Sequence, residues 1–303
     1  MHARLAAWGS NTKVAAAQLL SMAGPRSTDW HAQCPFANHM KLSTPLIAII
    51  IRAELYLPQP GDALSKCGAC GAKLAEAHGH HAMCCKDNNE FISRKGWHNQ
   101  LRDVSMDIAR GAGVHASPKC DGLLGADEVA SREQDRHKDK VADINFYRLR
   151  PQLMGLLADV CIVHNIRGTQ PHTPVARAAV EEGAAVYGLE LEKMFKYAAL
   201  ADRRFYGFIP MCVETWGPFG HMFIEPFKEL AEAAARRNEA LNNMSPDIGA
   251  CQVRRYMRRL SLARVRGMAK RIQSAMFGVG RNRIAAGRLA ARLDDREEKR
   301  YDR

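Results

Sequence analysis

Apolar positions along the chain change their spacing several times, and each change predicts an element. Residues 1 to 60 mix an Ala-rich helical pattern with turn residues and end at the breaker-rich "LPQPGD". Within them "PLIAIII" (residues 45 to 51) is the longest unbroken apolar run, far short of the ~20 residues that span a bilayer. A polar link, "KDNNE", precedes "KGWHNQLRDVSMDIARGAG". There Leu101, Val104, Ile108 and Ala109 form a helical stripe that Gly111 and Gly113 terminate.

"VHASPKC" then reads as a short strand, and the charged residues 124 to 140 as a surface loop or short exposed helix. "VADINFYRL" alternates imperfectly, and "LLADVCIVH" is a nearly continuous apolar run of the kind found in strands buried on both faces. Residues 174 to 204 return to helical spacing. "FYGFIPMCVET" is another strand, "GHMFIEPFKELAEAAARRNEAL" another helix with Pro226 near its first turn, and the C-terminal region a helix weakened at Gly278, Gly280 and Gly287. From residue 97 the order is helix, three strands, helix, strand, helix. That order predicts an α/β core with a mixed sheet.

Composition sharpens this picture in two places. The net charge of +12 is unevenly spread: from Gln252 onward there are 16 Lys/Arg against 5 Asp/Glu. A basic end on a near-neutral body suits the phosphates of nucleic acid. Arg254, Arg255, Arg258, Arg259, Arg264 and Arg266 are the candidate contacts; a solvated helix surface is the plainer alternative. The N-terminus lacks the basic-then-apolar layout of a secretory signal, so an intracellular, membrane-free protein is expected.

The second place is "KCGACGAKLAEAHGHHAMCC" (residues 66 to 85), which holds four of the nine cysteines and three histidines. Such clustering without a secretion signal points to a metal rather than to disulfides. Cys161 and Cys212, in apolar runs, read as buried small hydrophobes. Structural zinc takes two close pairs of ligands. Cys67 and Cys70 make the first, with Gly71 allowing the turn beneath the metal. The second is His81 with Cys85 or His80 with Cys84, at identical spacing; His78 is a spare.

Taken in order, C-x2-C-G…G-x-H-A-x2-C, "WHNQLRD", "VADI", "LLADV", "ELEKMFKY" and "FIPMCVETWG" resemble the C-terminal region of non-LTR retrotransposon polyproteins. There a CCHC zinc knuckle precedes a restriction-like endonuclease of the PD-(D/E)XK superfamily. The resemblance covers most of residues 60 to 270. It lacks the reverse transcriptase that precedes this region in such polyproteins, which implies a detached or degenerate piece, or a stand-alone relative. Together with the residue pattern, it gives the expected division: a helical segment at 1–60 and a basic helical tail at 251–303 from pattern and charge, and, as the resemblance implies, a zinc module at 61–90 and a restriction-endonuclease-like domain at 91–250. It places the second ligand pair at His81 and Cys85.

The same resemblance implies a cleavage site. Phosphodiester hydrolysis needs carboxylates to hold Mg²⁺ or Mn²⁺ and a cation to steady the water or the developing charge. Asp143 and Asp159 stand in the two central strands, where an unpartnered acid is costly, and match the family's metal ligands. Cys161 occupies the superfamily's usual lysine position. Lys193 on the next helix would replace that lysine, sharing a face with Glu190 and Tyr197, and Lys196 is the second choice. The alternative for this helix is an ordinary amphipathic surface with a Glu190–Lys193 pair.

Glu214 reads as structural, and His98 and Asn99 as residues at the start of a helix with a phosphate contact in reach. Departures from the family are "KVAD" without its arginine–proline lead-in, Trp97 for arginine, and Lys119 where a glutamate is expected. The expected function is a DNA endonuclease, nuclear or otherwise intracellular, with DNA as partner and RNA as a second class. The alternatives are a catalytically decayed nucleic-acid-binding protein and a retroelement relic.

Overall fold

The computed structural model describes residues 12–32, 41–55, 57–59, 66–67, 70–71, 79–85, 94–120, 142–164, 177–242 and 248–277. The expectations for His78, for the loop at 124–140 and for the C-terminal glycines fall outside these residues. So do those for the side chains of Cys84 and Lys119.

Four strands form one sheet in the order β1-β2-β3-β4: Ala116–Cys120, Ala142–Tyr147, Gly155–Val163 and Tyr206–Glu214. The first two pairings are antiparallel and the last is parallel. Parallel neighbours need a long crossover. Helix α5 (Ala184–Asp202) supplies it and lies on β4 and β3. This is the mixed α/β sheet that the hydrophobic spacing predicts, with each strand falling on its apolar segment.

The pleat sorts the strand residues between two cores. Ile144, Phe146, Leu156, Ala158, Val160, Ile209, Met211 and Val213 are buried in the main cluster. They face α4 (Arg94–Gly111), α6 (His221–Asn242) and α7 (Ile248–Phe277). On the opposite face Leu157, Tyr206 and Phe208 pack under Met194, Tyr197 and Leu200 of α5. Asp143, Asp159 and Cys161 have the parity of this second face.

Helix α5 begins later than the periodicity of residues 174 to 204 predicts. Gly183 stands before it at φ 70°, a left-handed conformation that glycine adopts without strain. The chain can turn there before the helix starts at Ala184.

The basic C-terminal helix is the main departure from expectation. Helix α7 is not a tail on the surface; it packs against α2 (Thr44–Glu54), α3 (His80–Cys84), α4, α6 and the short 3₁₀ turn Asp29–Ala32. Its Tyr256, Met257, Leu260, Met268, Ala269 and Ile272 are buried. One apolar cluster runs from Leu46 through the Cys/His stretch and the sheet to Met276, so the four stretches of sequence share a core.

Arg264, a predicted phosphate contact, is 1 % exposed. Its guanidinium donates to the Ser27 carbonyl (2.5 Å) and the Thr215 carbonyl (2.9 Å), so it ties two loops to α7 and cannot reach a ligand outside. Burial lowers its pKa to about 10, which still leaves it charged near neutrality. Arg271 is buried likewise and donates to the carbonyls of Ala82 (3.0 Å) and Met83 (3.3 Å) in α3. The short helix of the Cys/His stretch is thereby bolted to α7.

Trp97 is 4 % exposed. A Cβ at Gly267 would collide with its indole, so the tryptophan sits in the α4–α7 contact. The apolar run at 45 to 51 becomes α2, which buries Leu46, Ile49, Ile50 and Ala53. No described helix is long and apolar enough to cross a membrane.

Candidate functional site

Among the described residues, two clusters carry chemistry. The first is Cys67, Cys70, His81 and Cys85, whose donor atoms all lie within 4.8 Å of one another. Cys67 Sγ and Cys85 Sγ are 3.8 Å apart, and Cys70 Sγ is 3.2 Å from His81 Nε2. With metal–sulfur bonds of about 2.3 Å, a tetrahedral zinc sets its sulfurs about 3.8 Å apart.

Local backbone explains the convergence. The Gly71 N–H donates to the Cys67 carbonyl (2.7 Å) and Gly71 sits at φ 74°, folding Cys67 and Cys70 around one point. Gly79 at φ 88° opens α3, and the Cys85 N–H closes it on the His81 carbonyl (2.7 Å). His81 and Cys85 therefore point the same way.

Spacing alone leaves His80 and His81 equivalent, but the structure separates them. His80 is buried, with His164 5.9 Å and Trp216 5.7 Å away between ring centroids. The Cys₃His set is compatible with a structural zinc ion.

The second cluster sits on the α5 face of the sheet. The β2–β3 register pairs Ile144 with Ala158, so one step further along the ladder sets Asp143 opposite Asp159. The two carboxyls hydrogen-bond to each other. Each also has a basic partner: His98 Nε2 lies 2.9 Å from Asp143 Oδ2 and Lys193 Nζ 2.7 Å from Asp159 Oδ2. The Val160 N–H donates to Asp143 Oδ2 (2.8 Å), and the Cys161 thiol to Asp159 Oδ2 (3.4 Å).

The electrostatics follow from these contacts. Burial alone would raise both acids. At Asp143 it is outweighed by the His98 hydrogen bond and charge, helped by the Val160 amide, and the pKa is lowered. At Asp159 burial prevails over Lys193, reinforced by the neighbouring Asp143 charge, and the pKa is raised. Asp159 is thus the member of the pair that takes up a proton more readily. His98 is raised despite burial because Asp143 faces it, with Asn99 Oδ1 3.3 Å from its other ring nitrogen. Burial would lower Lys193 too, but Cys161 and Asp159 hold it well above the ordinary lysine value.

Lys193 rather than Lys196 reaches the acids. Lys196 is exposed, its ammonium 5.4 Å from the Tyr197 ring. Glu190 forms no surface pair. It is 3 % exposed and accepts the N–H groups of Met222 (3.0 Å) and Phe223 (3.3 Å), capping α6. Burial raises it to about 7, against the pull of those amides.

Glu214, expected to be structural, is the last residue of β4 and is 1 % exposed. It accepts from Ser21 Oγ (2.5 Å) and the Val186 N–H (3.2 Å) at the start of α5. His98 goes unassigned to the acidic pair by sequence reasoning, since no periodicity links a helix residue to a strand 45 positions on.

Of the predicted arginines, Arg254 and Arg255 are exposed, Arg258 and Arg259 half-buried. Arg266 donates to the Lys41 carbonyl (2.6 Å). Compared with models of known protein families and with curated proteins, the chain matches none.

Proposed function

We propose that this protein is a zinc-stabilised, metal-dependent DNA endonuclease-like protein, similar to the restriction-like region of non-LTR retrotransposon polyproteins. The observation that carries the reading is the pairing of Asp143 with Asp159 across β2 and β3, with the Lys193 ammonium against the second acid. Two acids facing each other across neighbouring strands supply the kind of oxygen donors that a divalent cation takes.

Asp143 and Asp159 would hold Mg²⁺ or Mn²⁺, which supplies Lewis-acid stabilisation of the phosphate and a more acidic water. Lys193 keeps its proton in this setting and would steady charge at the scissile phosphate. His98 holds the Asp143 carboxylate from the α4 side and fixes its orientation. Arg254, Arg255, Arg258 and Arg259, at the N-terminal end of α7, would lie along DNA, or RNA, as sequence-independent phosphate contacts. Such a protein would act where the DNA is, in the nucleus of a nucleated cell.

A second reading, a nucleic-acid-binding protein without turnover or a relic of a retroelement, is favoured by one observation. Each acid already has a basic side chain at 2.7–2.9 Å, with which a metal would have to compete. Nicking of supercoiled plasmid in Mg²⁺ or Mn²⁺ separates the two. The nuclease reading expects nicking that Asp159→Ala and Asp143→Ala abolish. Nicking unchanged by Asp159→Ala would remove the site assignment, and DNA binding without nicking in either metal would favour the second reading.

A further inference from the structure

Beside Asp159 the sheet carries a feature that neither reading uses. Cys161 and Cys212 are direct partners in the parallel β3–β4 ladder. Paired strands run about 4.8 Å apart, inside the span of roughly 4.4–6.8 Å between α-carbons that a disulfide bridges. In-register partners point to the same side of the pleat, so the two side chains lie next to each other on one face of the sheet. Both are free thiols. Their environments differ: Cys212 is 0 % exposed, whereas Cys161 is partly exposed. Cys161 also touches the Asp159 carboxyl and lies in the field of Lys193.

We propose that Cys161 and Cys212 form a two-cysteine redox site that hydrogen peroxide converts to a disulfide. The accessible sulfur of Cys161 attacks one peroxide oxygen; an S–O bond forms, the O–O bond breaks, and the departing hydroxide takes up the thiol proton as water. The buried Cys212 then attacks the Cys161 sulfur. An S–S bond forms, the S–O bond breaks, and the second hydroxide leaves as water with the Cys212 proton. Two thiols and one peroxide thus become one disulfide and two waters, with sulfur oxidised and peroxide oxygen reduced. A partly exposed cysteine with a buried partner is the arrangement in which the first oxidation product is resolved before it goes further.

The bond would also draw the Cys161 sulfur away from Asp159, removing a donor from the acidic pair. This consequence for cleavage rests on the nuclease reading; the dithiol itself does not.

The test uses the full, zinc-loaded chain treated with hydrogen peroxide, quenched, alkylated and digested without reductant. The expected product is a cross-linked pair of peptides joined through Cys161 and Cys212, two hydrogens lighter than the separate peptides and released by dithiothreitol. In Cys212→Ser, Cys161 should instead accumulate as a sulfenic acid trapped by dimedone. The wild-type readout stands even where that variant folds poorly. Alkylation of both thiols after peroxide, or linkage of Cys161 to any other cysteine, would overturn the proposal. If the reduced protein nicks plasmid, oxidation should cause loss of nicking that dithiothreitol restores, and nicking unchanged in the disulfide form would overturn the coupling. A disulfide in a protein that never nicks supports the dithiol and counts only against the nuclease reading.

Discussion

The Cys/His cluster draws its four donors from one short stretch, Cys67 to Cys85. The acidic cluster gathers its members from α4, β2, β3 and α5, between His98 and Lys193. The first is a set of metal donors: three sulfurs and an imidazole turned toward a common centre. The second is already answered, acid by acid, by His98 and Lys193. A cluster of the first kind contributes to folding only through the ion it takes up. One of the second kind stands without an ion, and metal there has to compete with the protein's own charges.

Removing zinc should have the largest effect. Structural zinc contributes apparent free energies on the order of 10 kcal/mol in small modules. Here the module is tied by Arg271 to α7, so the loss should reach the shared core. Metal analysis should find zinc, and Cys67→Ser with Cys85→Ser, or a strong chelator, should lower the thermal midpoint by about 10 °C or more. A midpoint insensitive to chelation would erase the contrast between the two clusters.

Gly220→Ala should come next. A Cβ there would run into the Glu190 carboxylate, breaking the cap of α6, and urea unfolding should show a loss of about 2–4 kcal/mol. Glu190 itself yields a pH signature. Its pKa of about 7 in the fold exceeds the ordinary 4.5, so the folded chain keeps a proton that the unfolded chain releases between those values. The stabilisation from that proton is complete below the lower value and lost as pH rises through the upper one. Glu190→Gln keeps an accepting oxygen without a charge to bury. Its urea midpoint should therefore fall less than that of wild type between about pH 5 and about pH 8, with a gap of up to about 3 kcal/mol at the upper end.

The smallest effects belong to the acidic pair. Asp143→Asn gives up a partly exposed ion pair with His98 and should cost about 1 kcal/mol by urea unfolding at neutral pH. Asp159→Asn, at a position whose charged form is already disfavoured, should cost less. Zinc content should stay unchanged in both, and a variant that lost zinc would show that the clusters are coupled.

The same contrast governs what could be read from the sequence. Ligands a few residues apart announce themselves, and spacing leaves open only the choice between His80, which packs near His164 and Trp216, and His81, which meets Cys70. The strands were legible through their apolar runs. Asp143 and Asp159 stood out as acids inside those runs, because burial makes such residues rare without a partner. The partners were not legible. Glu214 meets Ser21 across 193 positions and Arg264 meets Ser27 across 237, and no local spacing encodes contacts of that range. Arg264 looked like its neighbours Arg258 and Arg259 because charge alone cannot tell a helix face that packs from one that does not. Glu190 likewise looked like half of a surface ion pair until the N-terminus of α6 was seen to sit on it.

Helix α7 has a consequence for the time at which this fold can exist. It supplies one wall of the core that α2, α3, α4 and α6 share, yet it is the last described element to leave the ribosome. Until it emerges, that wall of the core stays open, and Ser27 must wait for Arg264. Topologies closed by such distant contacts fold slowly, and a growing chain with open apolar faces is prone to aggregate. Nascent chains arrested before residue 248 should therefore engage chaperones and stay protease-sensitive, and protection should arrive abruptly once the helix through Phe277 has cleared the exit tunnel.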